Sequence, residues 1–523
     1  MLNHFCSMPD CATVFTTTKK IKFSPVSEMN RGNGVALQFT NNNGLNIRLT
    51  ADGAASRFLG IRWRMTMAEN SLFLADAWER TYGDTGWRNF DASRLMPWYF
   101  LQKTTDSVRC FGVKVRPAAF AAWTADPHGV TLWLDLRSGT RGVELNGRTL
   151  DVATVLFCES ADDAWSVAGE FCRAMCADPL LTPSPVYGGN NWYYAYGHSS
   201  RREILEDCRY LGRLTEGLPN RPFMVIDGGW DPSYGKCGPW DSGKEKFPDM
   251  PSLAGEMKQL GVKPGIWFRP LCCHDASIPK AWRSMREPAE FLDPSVPEVL
   301  ERVAADVARF AEWGFELVKH DFTTFDCFGK WGFEMNDFPA AGDWSFRDTP
   351  RTSAEILLEL YRRIRQAAGE MLILGCNTVG HFGAGLMHLS RIGDDTSGQR
   401  WERTRKMGVN TLAFRLPQHG AFFAVDADCL GVTGDIPWEL NRQWAQLLAT
   451  SGTPLFASLK PGVLGEAENR EMREFFRLAS VQKSRAVPLD WLSNVCPENW
   501  ELNGKTVRFN WYEPECFDAD FLK

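Results

Sequence analysis

Two changes of hydrophobic period along the chain predict an α/β fold: a (β/α)8 TIM barrel preceded by an N-terminal β-sandwich and followed by a short C-terminal β region. Strand-like alternation runs through residues 1–180 up to one closing helix, eight short apolar segments separated by amphipathic stretches fill 181–482, and alternation returns over 483–523. Strands that follow one another without helices pack as layered sheets, whereas strands alternating with helices build a parallel barrel.

In the first stretch, Gly34–Thr40 alternates, Asn41-Asn42-Asn43-Gly44 turns and Leu45–Leu49 alternates again. That is a hairpin signal. Val130–Leu136 and Val143–Leu145 continue the pattern. Between the hairpin and these strands lies a loop rich in Trp and Arg, Trp78-Glu79-Arg80-Thr81-Tyr82-Gly83-Asp84, which reads as ordinary surface packing or as a lid over a neighbouring domain. A helix over Asp162–Cys176 leads into Pro179, Pro183 and Pro185, a domain boundary.

The barrel strands are expected near Val186 (running into Asn190-Asn191-Trp192), at Phe223–Asp227, Lys263–Phe268, Phe315–Asp321, Met371–Asn377, Leu389–Asp394, Thr411–Phe414 and Pro454–Ala457. Ser295–Trp313 carries Val296, Val299, Leu300, Val303, Val307 and Phe310 at helical spacing. Val507–Trp511 is the strand of the C-terminal region.

Composition narrows the function. A net charge of −6 argues against a nucleic-acid partner. No apolar run reaches the ~18 residues that span a membrane. Fifteen cysteines show neither a disulfide framework nor zinc-ligand spacing, which suits a reducing compartment. Met1–Cys6 lacks the features of a secretory leader, so the expected location is cytoplasmic, or periplasmic where a leader has been removed. With eight histidines and no H-x-H or H-E-x-x-H, no metal is expected. No G-x-G-x-x-G follows a strand, so no cofactor is expected either. Twenty-one tryptophans suit a carbohydrate ligand, because an indole face stacks on the apolar face of a sugar ring.

In a barrel, chemistry collects at the C-terminal ends of the strands. Read in order, those ends carry Trp192; Asp227 and Trp230; Trp267 and Arg269; Lys319 and Asp321; Cys376 and Asn377; Arg391, Asp394 and Asp395; and Asp426 and Asp428. Strand alternation puts Lys319 and Asp321 on one side and His320 on the other. The ammonium is expected beside the Asp321 carboxylate, keeping it ionised. Two carboxylates on separate strands are what glycosidic cleavage needs: one attacks the sugar carbon and the other handles the proton.

Several segments, in order, resemble clan D glycoside hydrolases, closest to family 36, the α-galactosidase and raffinose synthase group. These are Asn190-Asn191-Trp192, Ile226-Asp227-Gly228-Gly229-Trp230, Lys246-Phe247-Pro248, Gly261–Pro270, Lys319-His320-Asp321 and Arg391-Ile392-Gly393-Asp394-Asp395-Thr396. Asp426-Ala427-Asp428 is similar to a segment of raffinose synthases. The resemblance covers 185–465 and implies a retaining α-glycosidase working through a glycosyl-aspartate, with Asp321 as nucleophile. It implies Asp394 as acid/base by motif register, with Asp395 as the runner-up and its side chain directed away from Asp394. The other strand-end residues are then substrate-binding, and the partner is an oligosaccharide or glycoside. Homo-oligomer formation stays open.

Two departures bear on specificity. The family usually pairs two aspartates where this chain has Asp227-Gly228, and that pair holds the galactose 4- and 6-hydroxyls. The family's glutamate after Trp-Phe is Arg269, which adds a fixed positive charge. Both point to a sugar bulkier at one hydroxyl or bearing an acidic group, such as an α-N-acetylgalactosaminide. A transglycosylase of the raffinose or stachyose synthase type uses the same two carboxylates. A catalytically silent sugar-binding protein would not need Lys319, Asp321 and Asp394 intact.

Overall fold

Parallel strands buried on both faces read as continuous apolar runs, and antiparallel strands with one wet face alternate. Both patterns appear in the computed structural model, which describes residues 2–5, 7–68, 70–232, 238–288, 290–481 and 485–512. Cys6 and part of the expected C-terminal region, 483–484 and 513–523, lie outside the described residues.

The amino-terminal third forms two antiparallel sheets. Val35–Asn41 and Leu45–Ala51 pair as the hairpin their alternation predicts, with buried and exposed residues taking turns. The inner faces meet through aromatic side chains: Trp63 of one sheet packs 5.0 Å from Phe157 of the other, centroid to centroid. The helix Ala164–Met175 follows, its N-terminus capped by Asp163, whose carboxylate accepts from Trp165 N and Ser166 N.

The middle of the chain builds a nine-stranded, wholly parallel sheet. Its spatial order is Ala424–Asp426, Leu389–Arg391, Leu372–Gly375, Leu317–His320, Lys263–Phe268, Phe223–Ile226, Tyr187–Asn190, Leu455–Leu459 and Leu430–Val432. The two outermost strands are consecutive in the chain, joined only by Ala427-Asp428-Cys429, so the sheet curls back towards itself. Helices flank it. Pro297–Glu312 buries Val299, Leu300, Val303, Val307 and Phe310, the stripe that its sequence period picks out.

One strand is misplaced by sequence reasoning. Thr411–Arg415 is a buried helix, and its expected place in the sheet is taken by Ala424–Asp426 and Leu430–Val432. A four-residue apolar run has no readable period, so a buried helical turn and a buried strand look alike. At the carboxyl end, Asn499–Leu502 and Lys505–Arg508 pair as a small hairpin. Among the described residues no helix is long and apolar enough to cross a membrane.

Candidate active site

The C-terminal ends of the parallel strands surround a cavity of about 290 Å³. Of the residues singled out from sequence, Trp192, Asp227, Trp267, Arg269, Lys319, Asp321, Arg391 and Asp428 line it. Asn190, Tyr193, Gly228, Asp231, Phe322, Asp395 and Cys429 complete the wall. Asp394, Trp230, Cys376, Asn377 and Asp426 do not line it.

Asp321 leaves the strand Leu317–His320 and is 7% exposed. Three donors hold its carboxylate: Trp267 Nε1 at 2.9 Å on Oδ2, and Phe322 N at 2.7 Å and Asn377 N at 3.1 Å on Oδ1. Phe322 takes a left-handed φ of 63°, an uncommon conformation for a bulky residue and of the kind concentrated at functional sites. Lys319 shares the cavity face, as alternation requires, but it does not bond Asp321. Its Nζ lies 2.7 Å from Asp227 Oδ2, which also accepts from Asn190 Nδ2 at 2.7 Å. Burial works against the Lys319 charge, yet Asp227, Cys376 and Asp321 together outweigh it and hold the ammonium protonated. His320 points the other way, against Thr323, and burial pushes it down to about 4.

The positions expected for Asp394 and Asp395 relative to the cavity are exchanged. Asp394 lies off the cavity, 3.3 Å from Arg80 Nη1 and 2.9 Å from Arg403 Nη2. Asp395 lines the cavity and accepts from Arg391 Nη2 at 3.1 Å, with 43% of its side chain exposed. Burial pushes the Asp395 carboxyl up, but Arg391, Arg80 and Lys319 together outweigh it and hold it below the usual carboxylate range. The strand Leu389–Arg391 ends before the pair, so motif register alone does not settle which aspartate turns inward.

Residues that miss the cavity support it from behind. Trp230, fully buried, donates from Nε1 to Trp267 O at 2.9 Å. Cys376 packs under Arg391, and burial pushes its thiol far up. Asn377 holds Asp321 through its backbone N–H. Asp426 accepts from Asp428 N at 3.0 Å, and burial raises its carboxyl to about 6. Asp428 in turn binds Arg391 Nη1 at 3.0 Å and Thr396 N at 2.7 Å.

Arg269 lines the cavity, but its charge is matched. Asp326, fully buried, takes its Nε at 3.0 Å and its Nη2 at 2.6 Å, and the guanidinium lies 4.1 Å from the Phe322 ring centre. The fixed positive charge inferred from sequence is therefore compensated inside the protein.

The Trp78–Asp84 loop reaches this site. Thr81 pairs with Gly393 in a parallel bridge, Thr81 N donating to Ile392 O at 2.8 Å and Asp394 N to Thr81 O at 3.2 Å. Arg415 fixes both sides, its Nη1 donating to Glu79 O at 2.6 Å and to Ile392 O at 3.2 Å. The fully buried Glu79 carboxylate accepts from Asn377 Nδ2, from Tyr82 OH at 2.5 Å and from Gly332 N at 2.8 Å. Burial raises its pKa, and Arg80, Tyr82 and Gly332 N only partly offset that. The sequence offered the loop's Trp and Arg content as the only sign of this role.

The site contains five cavity-lining aspartates among three cations, Lys319, Arg269 and Arg391, with indole faces from Trp192 and Trp267. Among the described residues no group of His, Cys, Asp and Glu could hold a metal ion. No family model matches the chain. Solved structures do. An α-galactosidase from Thermus thermophilus, in complex with p-nitrophenyl α-D-galactopyranoside, aligns at TM-score 0.62 with 17% identity, covering 92% of this chain and 99% of its own. A family GH36 α-galactosidase from Geobacillus stearothermophilus, in complex with raffinose, aligns at 0.60 with 15% identity, covering 89% and 70%. An α-galactosidase from Lactobacillus brevis aligns at 0.57 with 12% identity, covering 91% and 69%. At these identities the likeness is one of fold, and the fold this chain shares is that of GH36 α-galactosidases.

Proposed function

We propose that the chain is a retaining α-glycosidase acting on α-galactoside-like linkages. In this reading the curled sheet is a (β/α)8 barrel over residues 181–482, the two antiparallel sheets are a β-sandwich over 1–180, and 483–523 form a C-terminal β region. The observation that carries the reading is the contrast between two carboxylates on one cavity. Asp321 is buried and fixed by three donors, as suits a nucleophile. Asp395 has the more open carboxylate, as suits a group that exchanges protons with water.

Asp321 attacks the anomeric carbon while the bond to the leaving oxygen breaks, and the Asp395 carboxylic acid gives that oxygen its proton. Water then attacks the same carbon, its proton passes to Asp395, and the ester bond to Asp321 breaks. Asp227, held by Lys319 and Asn190, faces the sugar as a hydrogen-bond acceptor. Transfer to a second sugar instead of water would use the same two groups, and the product formed when an acceptor sugar is supplied separates the two outcomes.

Gly228 shapes specificity. A Cβ there would meet Trp267 first, at an ordinary 3.5 Å, and the residue has no left-handed φ. Neither packing nor backbone requires glycine, so its effect is to leave room in the cavity wall. With Asp227 and Asp231 nearby and Arg269 neutralised, that room suits a substituent that donates hydrogen bonds, such as an acetamido group, better than an acidic one. The test is proton NMR of p-nitrophenyl α-galactoside or its 2-acetamido analogue during turnover. The α-anomer should appear first. A β-anomer first, or no turnover of either, would overturn the reading.

A further inference from the structure

Thiols lie between one amino-terminal sheet and the helix that covers it, far from the chemistry above. The strands Val108–Val113 and Thr149–Ser160 are antiparallel neighbours, and Cys110 stands directly opposite Cys158. Opposed side chains share one face of a sheet. Phe111 and Phe157 point the other way, into the aromatic core with Trp63. The cysteine face is covered by the helix Ala164–Met175, because a Cβ on Gly112 would meet Phe171 and Met175 at 2.9 Å. Cys172 of that helix is a third thiol, 3.8 Å from Tyr99 OH. All three are buried and free. Of the described cysteines, only Cys110 and Cys158 are ladder partners.

The ladder fixes their separation. Lys114 N donates to Thr154 O at 2.8 Å, and hydrogen-bonded pairs recur at every second position, so Cys110 and Cys158 form such a pair. Their Cα atoms are then about 5.5 Å apart, within the span of a disulfide. Their Cβ atoms rest at about 5.5 Å and would have to close to about 3.8 Å. A bond made that way is strained, and strained disulfides are the ones that thiols reopen.

Cys158 also has a way out. On its other side it faces His4 of the strand Asn3–His4, whose Nδ1 is 3.2 Å from Sγ. That strand is two exposed residues long. Burial pushes the Cys158 thiol up to about 12 and Cys110 well above the usual range, so neither reacts while covered. Lifting a short terminal strand costs little. It uncovers Cys158 but not Cys110, which lies one strand further in.

We propose that Cys110 and Cys158 are a peroxide-responsive dithiol that closes reversibly into a cross-strand disulfide. The Cys158 sulfur attacks hydrogen peroxide, the O–O bond breaks and water leaves, giving a sulfenic acid. The Cys110 sulfur attacks that sulfur, the S–O bond breaks and a second water leaves, the two thiol protons ending in the two waters. Two thiols lose two electrons, and one peroxide gains them. None of this depends on the glycosidase reading.

The test treats the wild-type protein with hydrogen peroxide until Cys11, which is partly exposed, is oxidised. Remaining thiols are blocked in denaturant, and the unreduced peptides are identified by mass. A peptide pair joining Cys110 to Cys158 should appear, absent before treatment and released by glutathione. Cys110→Ala should leave Cys158 as a sulfenic acid that dimedone traps, Cys158→Ala should leave Cys110 a thiol, and Cys172→Ala should leave the link in place. The wild-type map decides the matter even where a variant fails to fold. Cys110 and Cys158 both recovered as thiols, or Cys158 joined to Cys172, overturns the proposal. So does a link that glutathione leaves closed, which would be a permanent staple.

Discussion

The end of the strand Leu317–His320 and the end of the strand Leu389–Arg391 each deliver an aspartate to one cavity, under opposite restraint. Asp321 is gripped by an indole N–H and two backbone N–H groups. Asp395 has one arginine on one oxygen and a side chain nearly half open to solvent. Fixing a group suits attack along a single line, whereas access to water suits a group that must change its protonation twice per turnover.

The largest expected effect comes from removing the fixed carboxylate. Asp321→Asn should lower turnover at least ~10⁴-fold with little change in melting temperature, and added azide or formate should restore part of the rate. A variant that keeps a tenth of wild-type activity would reassign the nucleophile.

The two neighbouring aspartates should then separate cleanly. Asp395→Ala should cost ~10²–10⁴-fold on an oligosaccharide but far less on a dinitrophenyl glycoside, whose leaving group needs no proton. Asp394→Ala should lower both substrates together, since it releases Arg80 and Arg403 rather than removing a proton donor. The reverse pattern would return the acid role to Asp394.

Much of this comparison was legible in the sequence. The strand ends that carry Asp227, Trp267, Lys319, Asp321, Arg391 and Asp428 are short apolar runs closed by a polar residue, a pattern that burial on both faces produces. What was not legible depends on partners far along the chain. Lys319 bonds Asp227 rather than its near neighbour Asp321, and Asp326 cancels Arg269. Asp394 is held by Arg80, from another part of the molecule, and by Arg403.

A smaller effect should follow from the support behind Asp321. In Glu79→Gln the new amide N–H₂ would face Asn377 Nδ2, or Tyr82 OH and Gly332 N, all donors. Turnover should fall about tenfold with KM nearly unchanged, and stability should fall by about 1–3 kcal/mol. Equal changes in kcat and KM would reduce Glu79 to a structural contact.

The pH profile tests the other carboxylate. With its pKa depressed, Asp395 is ionised in the free protein over most of the pH range, so kcat/KM should fall as pH rises through that low value. Arg80→Gln removes a cation that favours the ionised form, and the falling limb should move to higher pH. A depressed carboxylate also stabilises the fold at pH above its unfolded value, and that contribution is lost as pH falls through its folded one. Acid function and stability therefore pull Asp395 in opposite directions. The smallest change is expected from Gly228→Ala, which should fit beside Trp267 and narrow the range of accepted sugars without unfolding the protein.

The bond between Glu79 and Asn377 also sets a timetable for synthesis. The partners are 298 residues apart, so a ribosome working at ~5–20 residues per second makes the second about 15–60 s after the first. The amino-terminal sheets can form in that interval, but their loop must wait without the Asn377 and Gly332 donors to Glu79 and without the Asp337 carbonyl that accepts from Trp78. Each nascent chain thus carries a half-finished surface for tens of seconds, and a chaperone that shields residues 78–84 would act during that wait.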